Sequence, residues 1–221
     1  GKRAKQVVAV EIDRGLIPLL KYTLVAHSNI QIVHGDILRQ NLSVLAQETF
    51  GGCPFAVCAN LPYNITTPVL IKLLESGLPI THMVLLIQRE VADRLAALPG
   101  TKNYGALTVA VQYACKITPL FSVGPNCFWP RPKVESTVIR LDVLQNPAVK
   151  VEDPKAFYAL VRALFAMRRK TLLNNLLAAY PNRERSELIG AVERAGISPG
   201  LRAETLTLEE LAGLYAALSS Q

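Results

Sequence analysis

A short apolar run, Phe55-Ala-Val-Cys-Ala59, ends abruptly in Asn60-Leu61-Pro62-Tyr63. The run has the length and composition of a buried strand, and Asn64-Ile-Thr-Thr-Pro68 behind it reads as a turn followed by a helix start. A strand that stops in a polar, proline-bent tetrad puts those four residues at its carboxyl end. In open α/β sheets, ligands bind in the crevice beyond that end. A strand closed by a plain proline turn would look the same over these residues alone, so the neighbouring chain has to decide.

On either side, apolar strand-like runs alternate with helical spacings. Gln6-Val-Val-Ala-Val10 predicts a buried strand closing at Glu11-Ile-Asp13. Glu11 is placed there to accept hydrogen bonds from a ribose diol, or to stand as a solvated strand-end carboxylate. The spacing of Leu16, Leu19, Leu20 and Leu24 predicts a helix over 14–26 with one apolar face. Ile30-Gln-Ile-Val33 is a short strand closed by His34-Gly35-Asp36. Asp36 can face an adenine amine or simply serve a turn, and His34, with no partner near it in sequence, reads as structural or superficial. Thr66 or Thr67 caps a helix with Pro68 near its first turn. A further buried strand is expected over 81–88, then helices over 89–97 and from Tyr104 to about Cys115, then a pair of strands at 121–123 and 136–144. Between that pair, Phe128-Trp-Pro-Arg-Pro-Lys-Val134 is stiff and extended, because alternate prolines exclude a helix. Such a segment would fix the Phe128 ring at a site mouth, to stack on a flipped base, or would pack it under a loop. After a linker at Gln145-Asn-Pro-Ala148 the spacing is helical to the end. Asp153-Pro154 caps the first of these helices and Thr207-Leu-Glu-Glu210 is a capping box for the last. Arg168-Arg169-Lys170 is a compact cationic cluster suited to phosphates, or a solvated charge run.

The tetrad suits one chemistry. An exocyclic amine on a nucleobase is a poor nucleophile because its lone pair is delocalised into the ring. Carbonyl oxygens that accept both N–H hydrogens turn the lone pair towards a methyl donor. Asn60 offers an amide oxygen, Leu61 and Pro62 offer backbone carbonyls, and proline has no N–H to compete. Tyr63 offers an aromatic face. This is catalysis by orientation and charge stabilisation, without an obligatory acid/base pair. The formal charge of +7 and sequence pI of about 9.4 fit a nucleic-acid partner, or a surplus that serves solubility. The four cysteines, Cys53, Cys58, Cys115 and Cys127, have no metal-ligand spacing and lie among apolar neighbours. They read as buried free thiols of a reducing, cytoplasmic compartment, and no metal site is expected. No apolar run is long enough to span a membrane, and no secretory signal opens the chain.

In this order, the acidic strand end, the Gly-Asp strand end, Asn60-Leu-Pro-Tyr63 and Phe128-x-Pro-x-Pro132 resemble class I S-adenosylmethionine methyltransferases. The last two motifs narrow the likeness to the ribosomal RNA adenine dimethylase family, in its bacterial small-subunit branch. Gln88-Arg-Glu-Val91, Tyr104-Gly-Ala-Leu-Thr108, Phe165-Ala-Met-Arg-Arg-Lys-Thr-Leu172 and Arg202-Ala-Glu-Thr-Leu206 are similar to that branch as well. The resemblance implies an α/β fold: a Rossmann-like methyltransferase sheet over 1–145 with a small all-helical domain over 146–221. It implies S-adenosylmethionine-dependent dimethylation of the N6 amines of two adjacent adenosines near the 3′ end of small-subunit ribosomal RNA. The implied setting is a pre-30S particle in the cytoplasm, and the implied protein is a monomer without a metal or a membrane. By the same resemblance, Glu11, Asp36 and Asn60 belong to the cofactor site, Asn60, Leu61, Pro62 and Tyr63 to the target-amine site, and Phe128 stacks on the base. From the residues themselves, Tyr63 is a second stacking face and Arg168, Arg169 and Lys170 are expected to meet RNA. The family's first strand and Gly-rich loop, which wraps the methionine end of the cofactor, have no counterpart here. The expectation is therefore weak cofactor binding and an inactive chain that keeps RNA affinity. The alternatives are a large-subunit adenine N6-methyltransferase of the macrolide-resistance type and a non-catalytic ribosomal-RNA-binding assembly factor.

Overall fold

The strand-like and helical segments alternate as the spacing requires in the computed structural model, which describes residues 1–219. β1 (Val7–Glu11) and β2 (Ile30–His34) pair in parallel, with Glu11 opposite His34, and α1 (Leu16–Thr23) lies between them in sequence. The chain then runs through α2 (Leu42–Phe50), β3 (Phe55–Asn60), α3 (Thr66–Glu75), β4 (Ile80–Gln88), α4 (Arg89–Leu95) and α5 (Ala106–Ala114). β5 (Cys115–Val123) and β6 (Ser136–Val143) are antiparallel neighbours, and the second sheet has the order β3-β4-β6-β5. The helices α6 (Pro154–Leu164), α7 (Leu172–Ala179), α8 (Arg185–Arg194) and α9 (Leu208–Ser219) complete the described chain. Among the described residues the last strand ends at Val143, and no helix is long and apolar enough to cross a membrane.

Two compact units emerge: Gly1–Val57 with Asn64–His82, and Cys58–Tyr63 with everything from Met83. The second unit does not part near residue 145. Tyr113 of α5 lies 5.1 Å from Phe157 and 5.4 Å from Tyr158 of α6, ring centre to ring centre, and Phe157 lies 5.9 Å from Tyr215 of α9. The linker is pinned to the same helix, since Leu144 N–H donates to the Ala114 carbonyl and Ala148 N–H to that of Tyr113. Secondary structure changes character after Val143, but the aromatic packing runs across the change.

Burial follows sheet position. Met83, Leu85 and Ile87 alternate along β4 and are fully buried, as are Ile139 and Leu141 of β6, the two-residue period of a strand with a covered face. The expected buried strands at 6–10 and 55–59 are less covered. Every residue of β1 is half-buried, and Ala56, Cys58 and Asn60 of β3 are exposed. β3 ends the order of its sheet and β1 has β2 as its one partner among the described residues. An apolar run does not reveal how many layers cover it. The cysteines are corrected for the same reason: all four are free, but only Cys115 is buried. Cys53 follows the Gly51-Gly52 loop, Cys58 is on the uncovered side of β3, and Cys127 closes a single 3-10 turn, Pro125–Cys127. Burial, then the charge of Asp142, pushes the Cys115 thiol up to about 12.

Local chemistry sets the helix ends. Asp153 accepts from Lys155 N–H and Ala156 N–H ahead of Pro154, and Thr207 and Glu210 form the expected reciprocal capping box at 2.7 and 3.2 Å. α2 is not foreseen by the spacing. Asn41 caps it by accepting from Val44 N–H, and Gly51, at φ 58°, ends it in the left-handed conformation glycine permits. The start of α3 differs from expectation, because Ile65 occupies the cap and makes no side-chain bond, while Thr66 is buried. β5 begins at Cys115, earlier than the strand expected from Phe121, and absorbs Pro119 by a register shift. α1 is shorter than 14–26 and buries none of its residues.

Phe157→Ala is expected to remove about 3–5 kcal/mol from unfolding stability, and Thr207→Ala about 1 kcal/mol. Urea titrations giving equal losses for the two would contradict this account of what holds the helices.

Candidate active site

Two groups of residues stand at strand ends, one in each compact unit. In the first unit Glu11 and Asp36 close the neighbouring parallel strands β1 and β2. Gly35 N–H donates to the Glu11 carbonyl at 2.8 Å, which extends the pairing to the residue before Asp36. Both carboxylates are oriented locally. Glu11 Oε1 accepts from Asp13 N–H at 2.8 Å, and Asp36 Oδ1 from Leu38 N–H at 2.9 Å. The turn after Asp36 is held from outside its own sequence. Lys72 Nζ of α3 donates to the carbonyls of Leu38 and Gln40 at 2.6 and 2.7 Å. A charge-assisted pair of this length is a firm tie, and nothing in the sequence marks Lys72 for it. His34 bonds the Ile12 carbonyl at 3.2 Å, in keeping with its structural reading. Acceptor-only carboxylates at the ends of adjacent parallel strands are the acceptor set that a ribose diol and an adenine amine require.

In the second unit, Asn60 is exposed at the last position of β3. Leu61 is buried and its N–H donates to the Leu86 carbonyl of β4 at 3.4 Å, so the chain stays paired one residue beyond the strand. Pro62 is exposed and Tyr63 half-buried. The Tyr63 hydroxyl shares a 2.8 Å hydrogen bond with Oγ of Ser136, a fully buried residue at the first position of β6. The same end of the sheet carries a second tie. Arg89 N–H donates to the Glu135 carbonyl at 3.0 Å, and the Arg89 guanidinium to the Glu135 carboxylate at 2.7 Å. That bond, then the Glu135 charge, raises the Arg89 pKa. The tetrad, the end of β4 and the start of β6 are thus joined around one strand end. Phe128 is half-buried and follows the 3-10 turn, its N–H donating to the Pro125 carbonyl at 3.3 Å.

The cationic cluster also lies in the second unit, but its members differ. Arg168 Nε reaches Glu204 Oε2 at 3.4 Å, and its Nη2 donates to the Lys102 carbonyl. Arg169 and Lys170 are exposed. The buried Asn175 clamps the segment's base, accepting from Met167 N–H at 3.0 Å and donating to the carbonyls of Met167 and Thr171. Sequence reasoning named the tetrad, the carboxylates and the cations, but missed Ser136, Glu135, Glu204 and Lys72, whose partners are distant in sequence, and Asn175, whose partners lie eight and four residues before it but carry no local signal. Among the described residues no group of three His, Cys, Asp or Glu side chains could hold a metal.

A mixed α/β Rossmann-like core followed by helices is the fold of class I methyltransferases, and the crystal structures similar to it agree. A dimethyladenosine transferase from Plasmodium falciparum superposes with a TM-score of 0.77 at 24% identity, covering 98% of this chain and 83% of that one. The 23S rRNA methyltransferase ErmE superposes with a TM-score of 0.63 at 27% identity, covering 99% and 84%. The family model for ribosomal RNA adenine dimethylase matches residues 1–218. Ribosomal RNA small subunit methyltransferase A of Geobacillus thermodenitrificans is 50% identical over 220 residues, 98% of this chain and 75% of the relative. The protein of the same description from Alkaliphilus oremlandii is 48% identical over 209 residues, 95% and 73%. The chain belongs to the ribosomal RNA adenine dimethylase family.

The bond between Tyr63 and Ser136 predicts a coupled pair. Tyr63→Phe and Ser136→Ala should each lower stability by about 1 kcal/mol, and the double variant should lose little more than either single one. Fully additive losses in a double-mutant cycle would mean the hydroxyls do not act on each other.

Proposed function

We propose that the chain carries out methyl transfer from S-adenosylmethionine to the N6 amines of two adjacent adenosines near the 3′ end of small-subunit ribosomal RNA, in ribosome biogenesis. Each adenosine receives two methyl groups. The observation that carries this reading is the tetrad itself, four residues at a strand end whose turn is pinned by the Leu61–Leu86 and Tyr63–Ser136 hydrogen bonds.

Glu11 would hold the cofactor's ribose diol and Asp36 its adenine amine, and the bound cofactor supplies an electrophilic methyl group. The remaining work falls to the tetrad. Asn60 Oδ1 and a backbone carbonyl from Leu61 or Pro62 accept the N6 hydrogens and turn the nitrogen lone pair out of conjugation. As the nitrogen becomes tetrahedral its N–H groups grow more acidic, so these bonds strengthen most at the transition state. A singly methylated amine retains one N–H, and one acceptor is then enough to orient it. Tyr63, fixed through its hydroxyl, and Phe128 flank the base and hold it out of its stack. Arg169 and Lys170 meet phosphates, Arg168 acts as their anchor as well as a cation, and the segment between α6 and α7 carries them. The protein works as a cytoplasmic monomer on a pre-30S particle.

Methyl transfer to immature small subunits and to naked large-subunit RNA separates this reading from its rivals. Dimethyladenosine in the small-subunit RNA alone supports it. Transfer to naked large-subunit RNA would support the macrolide-resistance type instead, and binding without transfer an assembly factor. In protein active in this assay, Asn60→Ala should cut the single-turnover rate about 10²-fold, the scale of one lost preorganised contact, with RNA affinity kept. An unchanged rate would remove Asn60 from the chemistry. Charge reversal at Arg169 and Lys170 should flatten the salt dependence of particle binding by about 0.7–0.9 in log–log slope per lost phosphate contact. An unaltered slope would place them away from RNA.

A further inference from the structure

Trp129 is 98% exposed, the most open of the exposed large apolar side chains, and it is the chain's single tryptophan. Folded proteins seldom present this ring to water, because its body gains most from burial and only its N–H benefits from solvent. The backbone beneath it is stiff. Pro130 follows it directly and Pro132 two residues later, fixing φ at both and restricting the residues before them. The strap over 128–135 is also tied at both ends. Phe128 N–H bonds the Pro125 carbonyl, Glu135 takes the Arg89 N–H and guanidinium, and the next residue, Ser136, bonds Tyr63. Arg131 and Lys133 are exposed on the same strap, whereas Phe128 and Pro132 are half-buried.

An aromatic ring held open on a rigid backbone, with cations beside it, is the composition of a single-strand nucleic-acid platform: bases stack on the ring and phosphates follow the charges. A tryptophan and an arginine would also suit a protein interface, but the exposed Lys133 beside them favours phosphates, since interface cores are depleted of lysine. We propose that Trp129 is a second stacking platform, distinct from Phe128, that takes the base of a nucleotide flanking the target adenosine, with Arg131 and Lys133 on the adjoining phosphates. The inference rests on the reading above for one point, that the ligand is single-stranded RNA at this strand end. The ring at 129 would set which neighbouring nucleotides are held while the target is turned out.

Because the chain has one tryptophan, its emission reports on this ring alone. A dye-labelled, single-stranded adenylate RNA is titrated into the chain, with dye anisotropy read for binding and tryptophan emission for stacking. Emission should be quenched in step with the rise in anisotropy. Trp129→Ala should weaken binding about 5- to 150-fold, the range for one stacked base, and Trp129→Phe should restore most of it. Binding with unchanged emission, no binding of this RNA, or an alanine variant of unchanged affinity would each overturn the platform. Methyl transfer to small-subunit particles, measured on the same preparation, keeps the two claims apart. Transfer with unchanged emission removes the platform alone, and quenching without transfer removes the reaction while the platform stands.

Discussion

One hydrogen bond ties the end of β3 to the start of β6: the Tyr63 hydroxyl on the buried Ser136. β3 lies at the end of its sheet order and its outward residues are exposed, so packing alone gives its carboxyl end little definition. Fixing the tyrosine from outside the turn, and pairing Leu61 with β4, over-determines the tetrad. A site that works by orientation requires this, because amide acceptors lose their advantage if the amine must also organise them. The adjacent Arg89–Glu135 pair is exposed, so its worth lies less in stability than in joining the strap that carries Phe128 to the end of β4.

The same logic separates the cations. Arg168, although exposed, spends its guanidinium on Glu204 and the Lys102 carbonyl, on a segment clamped by Asn175 that also carries the exposed Arg169 and Lys170. A run of basic residues that looks uniform in sequence thus divides into an anchor and two outward charges. In the first unit Lys72 plays the anchoring part for the turn that follows Asp36. In each case a charged side chain whose sequence context gives no sign of a partner holds a loop by its carbonyl groups.

What the sequence reveals follows from the range of each interaction. The caps at Asp153 and at Thr207 with Glu210 are readable because both partners sit within three residues. The tetrad and the two carboxylates are readable because strand ends are marked by abrupt changes of polarity. α2 escapes notice because it buries only Ala46 and Thr49, too few for a periodic signal. The coverage of β1 and β3 is overestimated, and so is that of Cys58 on β3, because an apolar run is compatible with one covered face as well as two. Ser136 lies 73 residues from Tyr63, and Glu204 lies 36 from Arg168. Nothing local marks either partner, so the supports of the candidate site are legible only in the fold.

The most direct test of this account is a structure of the protein with adenosine and a non-reactive analogue of S-adenosylmethionine. The account predicts the adenine N6 within about 2.7–3.2 Å of Asn60 Oδ1, the ring between Tyr63 and Phe128, and the analogue's ribose on Glu11. An adenine bound with its N6 turned away from Asn60, or seated elsewhere on the surface, would contradict it.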